Sequence, residues 1–185
     1  MTVPPIKNNS TELQSAKPAN WSCPDRAEFS GSTNVCPDNT PTRPYSLPDR
    51  LDEELSQVLA YWTGLKRGNA DIPFADDLKL SELWKFSNQI ILLHILQMPV
   101  RFRFEIAGHQ LIRTYGEDLL GRFVDDLPVR PPLNYFHSQS SATVDAHAPT
   151  FYRHPSTDDH RGYGRILLPL WADGRTAALL GAMSH

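Results

Sequence analysis

The stretch "RFRFEIAGHQLIRTYGEDLLGR", residues 101–122, decides the fold because its pattern changes halfway along. From Arg101 to Ile106 charged and apolar residues alternate, so that Phe102, Phe104 and Ile106 share one face. That alternation is the period of a β-strand with one face toward a core. Glycines at positions 108, 116 and 121 then divide the chain into pieces little longer than a helical turn. The stretch therefore predicts a strand that runs into short helices or turns.

Further strands flank this stretch on both sides. The preceding run "NQIILLHILQ", residues 88–97, is mostly Ile and Leu and is too short for a typical helix, so it predicts a buried strand. The break before residue 101 is short, which favours an antiparallel hairpin. Three later strands are predicted from "TFYRH" (150–154), "GYGRILLPLW" (162–171) and "TAALLGAMSH" (176–185), with an Asp-Gly turn between the last two.

Two longer helices are predicted around these strands. Residues 50–67 form an amphipathic helix, because the apolar residues in this range line one side of a helix: Leu51, Leu55, Val58, Leu59, Trp62 and Leu65. Residues 133–148 lack Gly and Pro and have a weaker helical period with polar members. Together these elements predict an α+β fold, with a five-stranded antiparallel sheet, short helices on one side and an amphipathic N-terminal helix.

The first 48 residues differ in composition from the rest of the chain. They hold 8 of the 16 prolines and are rich in Ser, Thr and Asn. Such a segment buries too little apolar surface to offset its ordering entropy, so we expect a disordered or loosely ordered tail over 1–48 and a single domain over 49–185.

Charge and hydropathy exclude some partners. The net charge of -3 is a poor match for nucleic acid or anionic lipid. No window approaches the roughly 20 apolar residues of a membrane-spanning helix. The start of the chain has no apolar run behind a basic end, so we expect a cytoplasmic protein without a membrane span.

Three motifs resemble a known family, the bacterial PAS domains of the PAS_5 type. They are "VLAYWTGLKRG" in the leading helix, "RFRFEIAGHQLIRTYGEDLLGR" in the middle, and "GRILLPLWADGRTAALLGA" near the end. The resemblance covers about residues 50–183 with the motifs in order, whereas the linker "NADIPFADDLKLSELWKFSNQ" is only loosely similar and residues 1–48 have no counterpart. It implies a sensory or interaction module whose five-stranded sheet and short helices surround a small-molecule cavity.

In a fold of that kind, the face of Phe102 and Phe104 lines the interior opposite the helix around 133–148. Polar residues on the inner face of that helix are natural ligand contacts. The candidate ligand-binding residues are Phe102, Phe104, Arg113, Tyr115, Tyr135 and His137, with Gln139 also available on the helix. Arg113 and Arg122 have two interpretations. They could hold an anionic ligand, or they could simply be solvated surface residues, and we favour the second.

The sequence does not identify a cofactor. In some PAS sensors a helix histidine binds haem iron, which would make His137 the ligand, although a surface or hydrogen-bonded histidine is the simpler interpretation. A flavin photosensor is disfavoured, because a flavin adduct needs a thiol beside the ring and both cysteines, Cys23 and Cys36, precede the domain.

A metal site is the alternative to a sensor. If residues 155–159 form a five-residue hairpin loop, His154 and His160 stand opposite each other, and Asp158 or Asp159 completes a two-histidine, one-carboxylate set. A metal-dependent enzyme or metal-binding protein would follow. The competing interpretation, which we favour, is that Pro, Ser, Thr and Asp are present because turns use them.

Other catalytic signatures are missing from the sequence. The glycines form no phosphate loop, no serine lies in a nucleophile elbow, and the adjacent Asp125 and Asp126 are more typical of a turn than of an acid and base pair. We therefore expect no enzyme but a stand-alone sensory or interaction module without an output domain. Its signal would pass to a protein partner or to a second copy, and the helix over 50–67 would mediate dimerisation or cap the sheet.

Overall fold

The computed structural model describes residues 45–156 and 162–184. Most of the predicted tail, residues 1–44, lies outside the described residues, and so do Asp158, Asp159 and His160 of the predicted metal set. Five strands form one antiparallel sheet in the order β2-β1-β5-β4-β3, which confirms the predicted sheet and the α+β class. The strands are β1 (Ile90–Leu96), β2 (Arg101–Ala107), β3 (Thr150–His154), β4 (Tyr163–Ala172) and β5 (Arg175–Ser184).

Three α-helices accompany the sheet, namely α1 (Glu53–Gly64), α2 (His109–Tyr115) and α3 (Phe136–Ala146). Short 3-10 helices occupy Ala75–Asp77, Leu80–Phe86 and Val124–Asp126. The helix predicted over 50–67 therefore begins and ends inside its predicted range. The helices α2 and α3 follow β2 in the chain and lie between it and β3, as the glycine spacing and the 133–148 pattern predicted.

The junction in the opening stretch depends on one glycine. Gly108 directly follows β2, and its N–H donates to the carbonyl of Ile90 at 2.8 Å. A Cβ at this position would collide with the backbone carbonyl of Asn88. The chain can therefore leave the sheet and start α2 at once only because residue 108 has no side chain.

The sheet has a core on each face. The inner core packs α2, the start of α3 and the predicted strand face of Phe102 and Phe104 against β1 and β5. The outer core packs α1 and Leu83 against β4 and the far side of β5. The prediction of short helices on one side is therefore incomplete, because α1 and the 3-10 helix Leu80–Phe86 cover the opposite face.

Helix α1 directs its apolar residues at this outer core. Leu55 and Val58 are fully buried, Trp62 is 1% exposed, and the indole Nε1 of Trp62 donates to the carbonyl of Pro169 on β4 at 2.8 Å. Of the two roles predicted for this helix, capping the sheet is what its buried face does here.

Candidate functional site

A small pocket lies at the N-terminal end of α3, on the inner side of the sheet. Its volume is about 170 Å³. Its walls are mostly apolar and come from the segment after the 3-10 helix Val124–Asp126 and from the first residues of α3: Val124, Leu127, Pro128, Val129, Leu133, Tyr135, Phe136, His137 and Ser138.

The backbone before α3 turns two of these side chains in opposite directions. Tyr135 adopts a left-handed conformation with φ of 55° and remains 62% exposed, whereas Phe136 is 1% exposed. The ring of Phe136 stacks on Phe104 with 5.5 Å between the ring centroids. The pocket therefore has a buried aromatic floor and an exposed tyrosine at its edge.

Two of the six predicted ligand-binding residues line this pocket, and three others contact residues that line it. Tyr135 and His137 line it, and Phe104 supports its floor. Phe102 contacts His137 edge to face with 5.4 Å between the ring centroids. Tyr115 donates its hydroxyl to the carbonyl of Pro128, one of the lining residues, at 3.0 Å. Tyr135 and His137 are exposed, and of the three polar candidates for the inner face of this helix only Gln139 is buried.

Arg113 does not belong to this site. It is exposed on α2 and is not one of the residues that line the pocket. The other predicted ligand-binding residue on α2, Tyr115, is buried and belongs to the inner core. The surface interpretation of Arg113 is therefore the one that fits the structure.

Directly behind the pocket lies a residue that the sequence analysis missed, Arg165 on β4. Its side chain is fully buried. The guanidinium donates from Nη1 to the carbonyl of Pro132 at 2.8 Å and from Nη2 to the carbonyl of Asn134 at 3.0 Å. It also lies over the ring of Phe136, with 4.3 Å from Cζ to the ring centroid. Arg165 therefore holds the segment that forms one wall of the pocket.

The same arginine ties α3 to the sheet. Its Nε donates to Oε1 of Gln139 at 2.8 Å, and Nε2 of Gln139 donates to the backbone carbonyl of Arg165 at 3.3 Å. The hydroxyls of Thr143 on α3 and Thr150 on β3 are 2.6 Å apart. Because these groups are all buried, each hydrogen bond fixes the position of α3 more strongly than a surface contact would.

Burial changes the protonation behaviour of the side chains around Arg165. Desolvation lowers the pKa of Arg165 to about 10, although nearby tyrosines partly counteract it. Desolvation also raises the pKa of Tyr163 to about 12 and raises the pKa of Tyr152. At neutral pH the arginine therefore carries its charge and both tyrosines are neutral.

The pocket does not fit haem. His137 is exposed and lines a space of about 170 Å³. Sites for drug-sized ligands have roughly 300–1,000 Å³, and haem is at the large end of that class. The surface interpretation of His137, with its ring against Phe102, agrees with the structure.

The register of the β3–β4 hairpin differs from the register assumed for the predicted histidine pair. His154 pairs with Tyr163, and their rings stack with 5.1 Å between the centroids. The connection between the strands is therefore longer than the five residues assumed, and the residue opposite His154 on the ladder is Tyr163. No group of three His, Cys, Asp or Glu side chains suited to a metal occurs within residues 45–156 and 162–184.

The adjacent Asp125 and Asp126 are engaged by an arginine. Nε of Arg101 donates to Asp125 at 2.7 Å, and its Nη2 donates to Asp126 at 2.6 Å. Burial alone would raise the pKa of Asp125, but the hydrogen bond and charge of Arg101 outweigh it and hold that pKa below its usual value. These two bonds link β2 to the 3-10 helix Val124–Asp126. They support the interpretation that Asp125 and Asp126 belong to a turn rather than to an acid and base pair.

Comparison with known proteins assigns no family, because no family model matches the chain and no match is found among curated proteins. In the part of the chain that the structure describes, no helix is long and apolar enough to cross a membrane. Function therefore has to be inferred from the geometry of the site.

Proposed function

We propose that this chain is a sensory or interaction module of the PAS type whose activity is binding rather than catalysis. The observation that carries the proposal is the pocket at the start of α3, whose lining residue Phe136 stacks on Phe104 of β2. A five-stranded antiparallel sheet with short helices over one face is the arrangement that the resemblance implies. Ligand sites are typically concave and mostly apolar with a few polar groups, and this pocket has that composition at a volume, about 170 Å³, that admits only a small ligand.

Strand β4 offers a route by which occupation of the pocket would reach the other side of the sheet. On its inner face Arg165 holds the pocket wall and α3 through buried hydrogen bonds. The same strand accepts the hydrogen bond of Trp62 from α1 through Pro169. A shift of α3 on ligand binding would therefore bias the position of α1, where a protein partner or a second copy could sense it.

The experiment that tests this function is native mass spectrometry of the purified chain, together with its absorbance spectrum. We expect added mass from a small molecule, or its appearance when candidate metabolites are supplied. A matched pair of variants locates the site. Val129→Trp places an indole at the pocket's edge, where Val129 is 83% exposed, and Leu120→Trp does the same at a 62% exposed position outside the lining residues.

We expect Val129→Trp to abolish the added mass and Leu120→Trp to retain it. The proposal is wrong if no small molecule is ever retained by the folded wild-type chain. It is equally wrong if both tryptophan variants retain the ligand, because the ligand would then occupy some other part of the molecule.

A further inference from the structure

We propose that the pocket at the start of α3 selects a small organic anion, a monocarboxylate of about the size of benzoate, through the positive charge of Arg165 behind its floor. The inference rests on the proposed function, because it names the ligand class for the same pocket. It is carried by three observations: Arg165 has no counter-ion among the described residues, its neighbours are neutral, and Phe136 contacts both the guanidinium and the pocket.

The charge of Arg165 has no carboxylate partner among residues 45–156 and 162–184. The ion pairs of this part of the chain involve other arginines and one lysine. The three hydrogen bonds of Arg165 go to neutral oxygens, those of Gln139, Pro132 and Asn134. A fully buried ion whose partners are all neutral keeps most of its desolvation cost, so a bound anion would stabilise it.

The tyrosines around the guanidinium do not supply the missing negative charge. Tyr152 lies with its ring centroid 5.2 Å from Cζ of Arg165, and its ring is 6.1 Å from that of Tyr163. Burial raises the pKa of both phenols, that of Tyr163 to about 12, so both stay protonated at neutral pH. The interior at this point therefore carries a net positive charge.

Phe136 connects this charge to the pocket, because it contacts both. Phe136 lines the pocket, and its ring centroid is 4.3 Å from Cζ of Arg165. An apolar ring screens a charge far less than water does, so the field of the guanidinium reaches a ligand in the pocket. An apolar body with one negative group matches both the apolar walls and the field, whereas a cation of the same shape is repelled.

The surface charges nearest to the pocket do not cancel this field. Asp125 and Asp126 are both bonded to Arg101, and Glu117 is bonded to Arg130 at 2.7 Å. Each of these carboxylates already has a cationic partner and is partly exposed to water. Their remaining influence on a ligand is small compared with that of an unpaired buried charge.

The test uses three probes of one shape on the wild-type protein: benzoate, benzamide and benzylammonium, titrated at constant ionic strength by calorimetry. We expect benzoate to bind about tenfold or more tightly than benzamide, and benzylammonium to bind more weakly than benzamide. In a ¹⁵N-labelled sample the Nε–H signal of Arg165 should shift with benzoate more than with benzamide. This readout requires no variant.

Two substitutions assign the preference to Arg165. Arg165→Met removes the charge and should bring the affinities for benzoate and benzamide to within about twofold of each other, whereas Arg165→Lys should retain part of the preference. The control is Arg130→Gln, which removes an exposed arginine near the pocket and should leave the preference unchanged.

Equal affinity of the wild type for benzoate and benzamide would overturn the inference while leaving a ligand-binding module in place. A folded Arg165→Met protein that keeps the full preference for benzoate would also overturn it. If Arg165→Met does not fold, the three-probe series and the Arg165 signal in the wild type decide. Absence of binding by all three probes rejects an aromatic carboxylate site. Native mass spectrometry then tests separately whether the chain binds any small molecule.

Discussion

The two faces of the sheet are built on different principles. On the outer face, α1 packs apolar side chains against β4 and β5, and the indole of Trp62 makes the polar contact to the strand. On the inner face, α3 buries Gln139, Ser140 and Thr143, and β4 buries Arg165 beneath them. Apolar packing tolerates many sequences of similar volume, whereas a buried polar network requires particular partners. The outer face is thus a packing surface, and the inner face is where a site can be specific.

The largest expected effect comes from breaking the outer face. Trp62→Ala removes a side chain that is 1% exposed together with its bond to Pro169, and we expect a loss of about 3–5 kcal/mol in the free energy of unfolding, measured with urea. The matched control is Thr63→Ala, the next and exposed residue of α1, which should change it by about 0.5 kcal/mol or less. A loss for Trp62→Ala no larger than that of the control would show that α1 does not hold the sheet.

An intermediate effect is expected on the inner face. Thr143→Val keeps the shape but leaves the hydroxyl of Thr150, 2.6 Å away, without this partner, so we expect a loss of about 1–2 kcal/mol. The double variant with Thr150→Val should lose less than the sum of the two single losses, because the partner group is then also removed. Strictly additive losses would mean that the two hydroxyls do not interact, and that the inner face is packed like the outer one.

The smallest effect is expected at the rim, where Asp52 connects the start of α1 to both β3 and β5. The hydroxyl of Ser184 donates to Asp52 at 2.6 Å, and Arg153 donates to it at 3.2 Å. The bond from Ser184 is the main cause of a pKa below the usual value of 3.8, with Arg153 adding to it and burial opposing it. Since the side chain is 44% exposed, Asp52→Asn should cost about 1 kcal/mol or less at neutral pH.

The sign of the pH dependence follows from the lowered pKa of Asp52. The carboxylate is favoured in the folded state, so its contribution is complete above pH 3.8 and disappears as the pH falls through the lower folded pKa. The difference in urea midpoint between wild type and Asp52→Asn should therefore shrink on acidification below about pH 4. A difference that grows in acid would contradict the assignment.

Much of the fold was predictable because it depends on local periodicity. The alternation from Arg101 to Ile106 and the Asp173-Gly174 turn predicted β2 and the β4–β5 hairpin, and both residues of that turn have positive φ. Side-chain burial in the linker between α1 and β1 was harder to predict, since Trp84 is 67% exposed although the adjacent Leu83 is 2% exposed. Both residues lie in the 3-10 helix Leu80–Phe86, in which successive side chains point about a third of a turn apart, so that Leu83 is buried and Trp84 turns outward.

The site was only half predictable. Tyr135 and His137 were candidates for the inner face of the helix over 133–148, but both are exposed at its start, and the register of His154 depends on the length of a loop that composition does not specify. Arg165 was overlooked because a charge inside "GYGRILLPLW" reads as an ordinary strand residue. The signal was present, since a lone arginine on the buried face of an apolar strand has to have partners.

The order of strands in the sheet affects the order in which strand pairs are expected to form during folding. The pairs β1–β2, β3–β4 and β4–β5 each join strands that are adjacent in sequence, so their ladders close short loops. The pair β1–β5 alone joins strands nearly half the chain apart, along Ile90–His94 and Ala178–Ala182. Closing that loop costs the most chain entropy. We therefore expect the pairing of β1 with β5 to form after the β1–β2 and β3–β4–β5 units and to limit the folding rate.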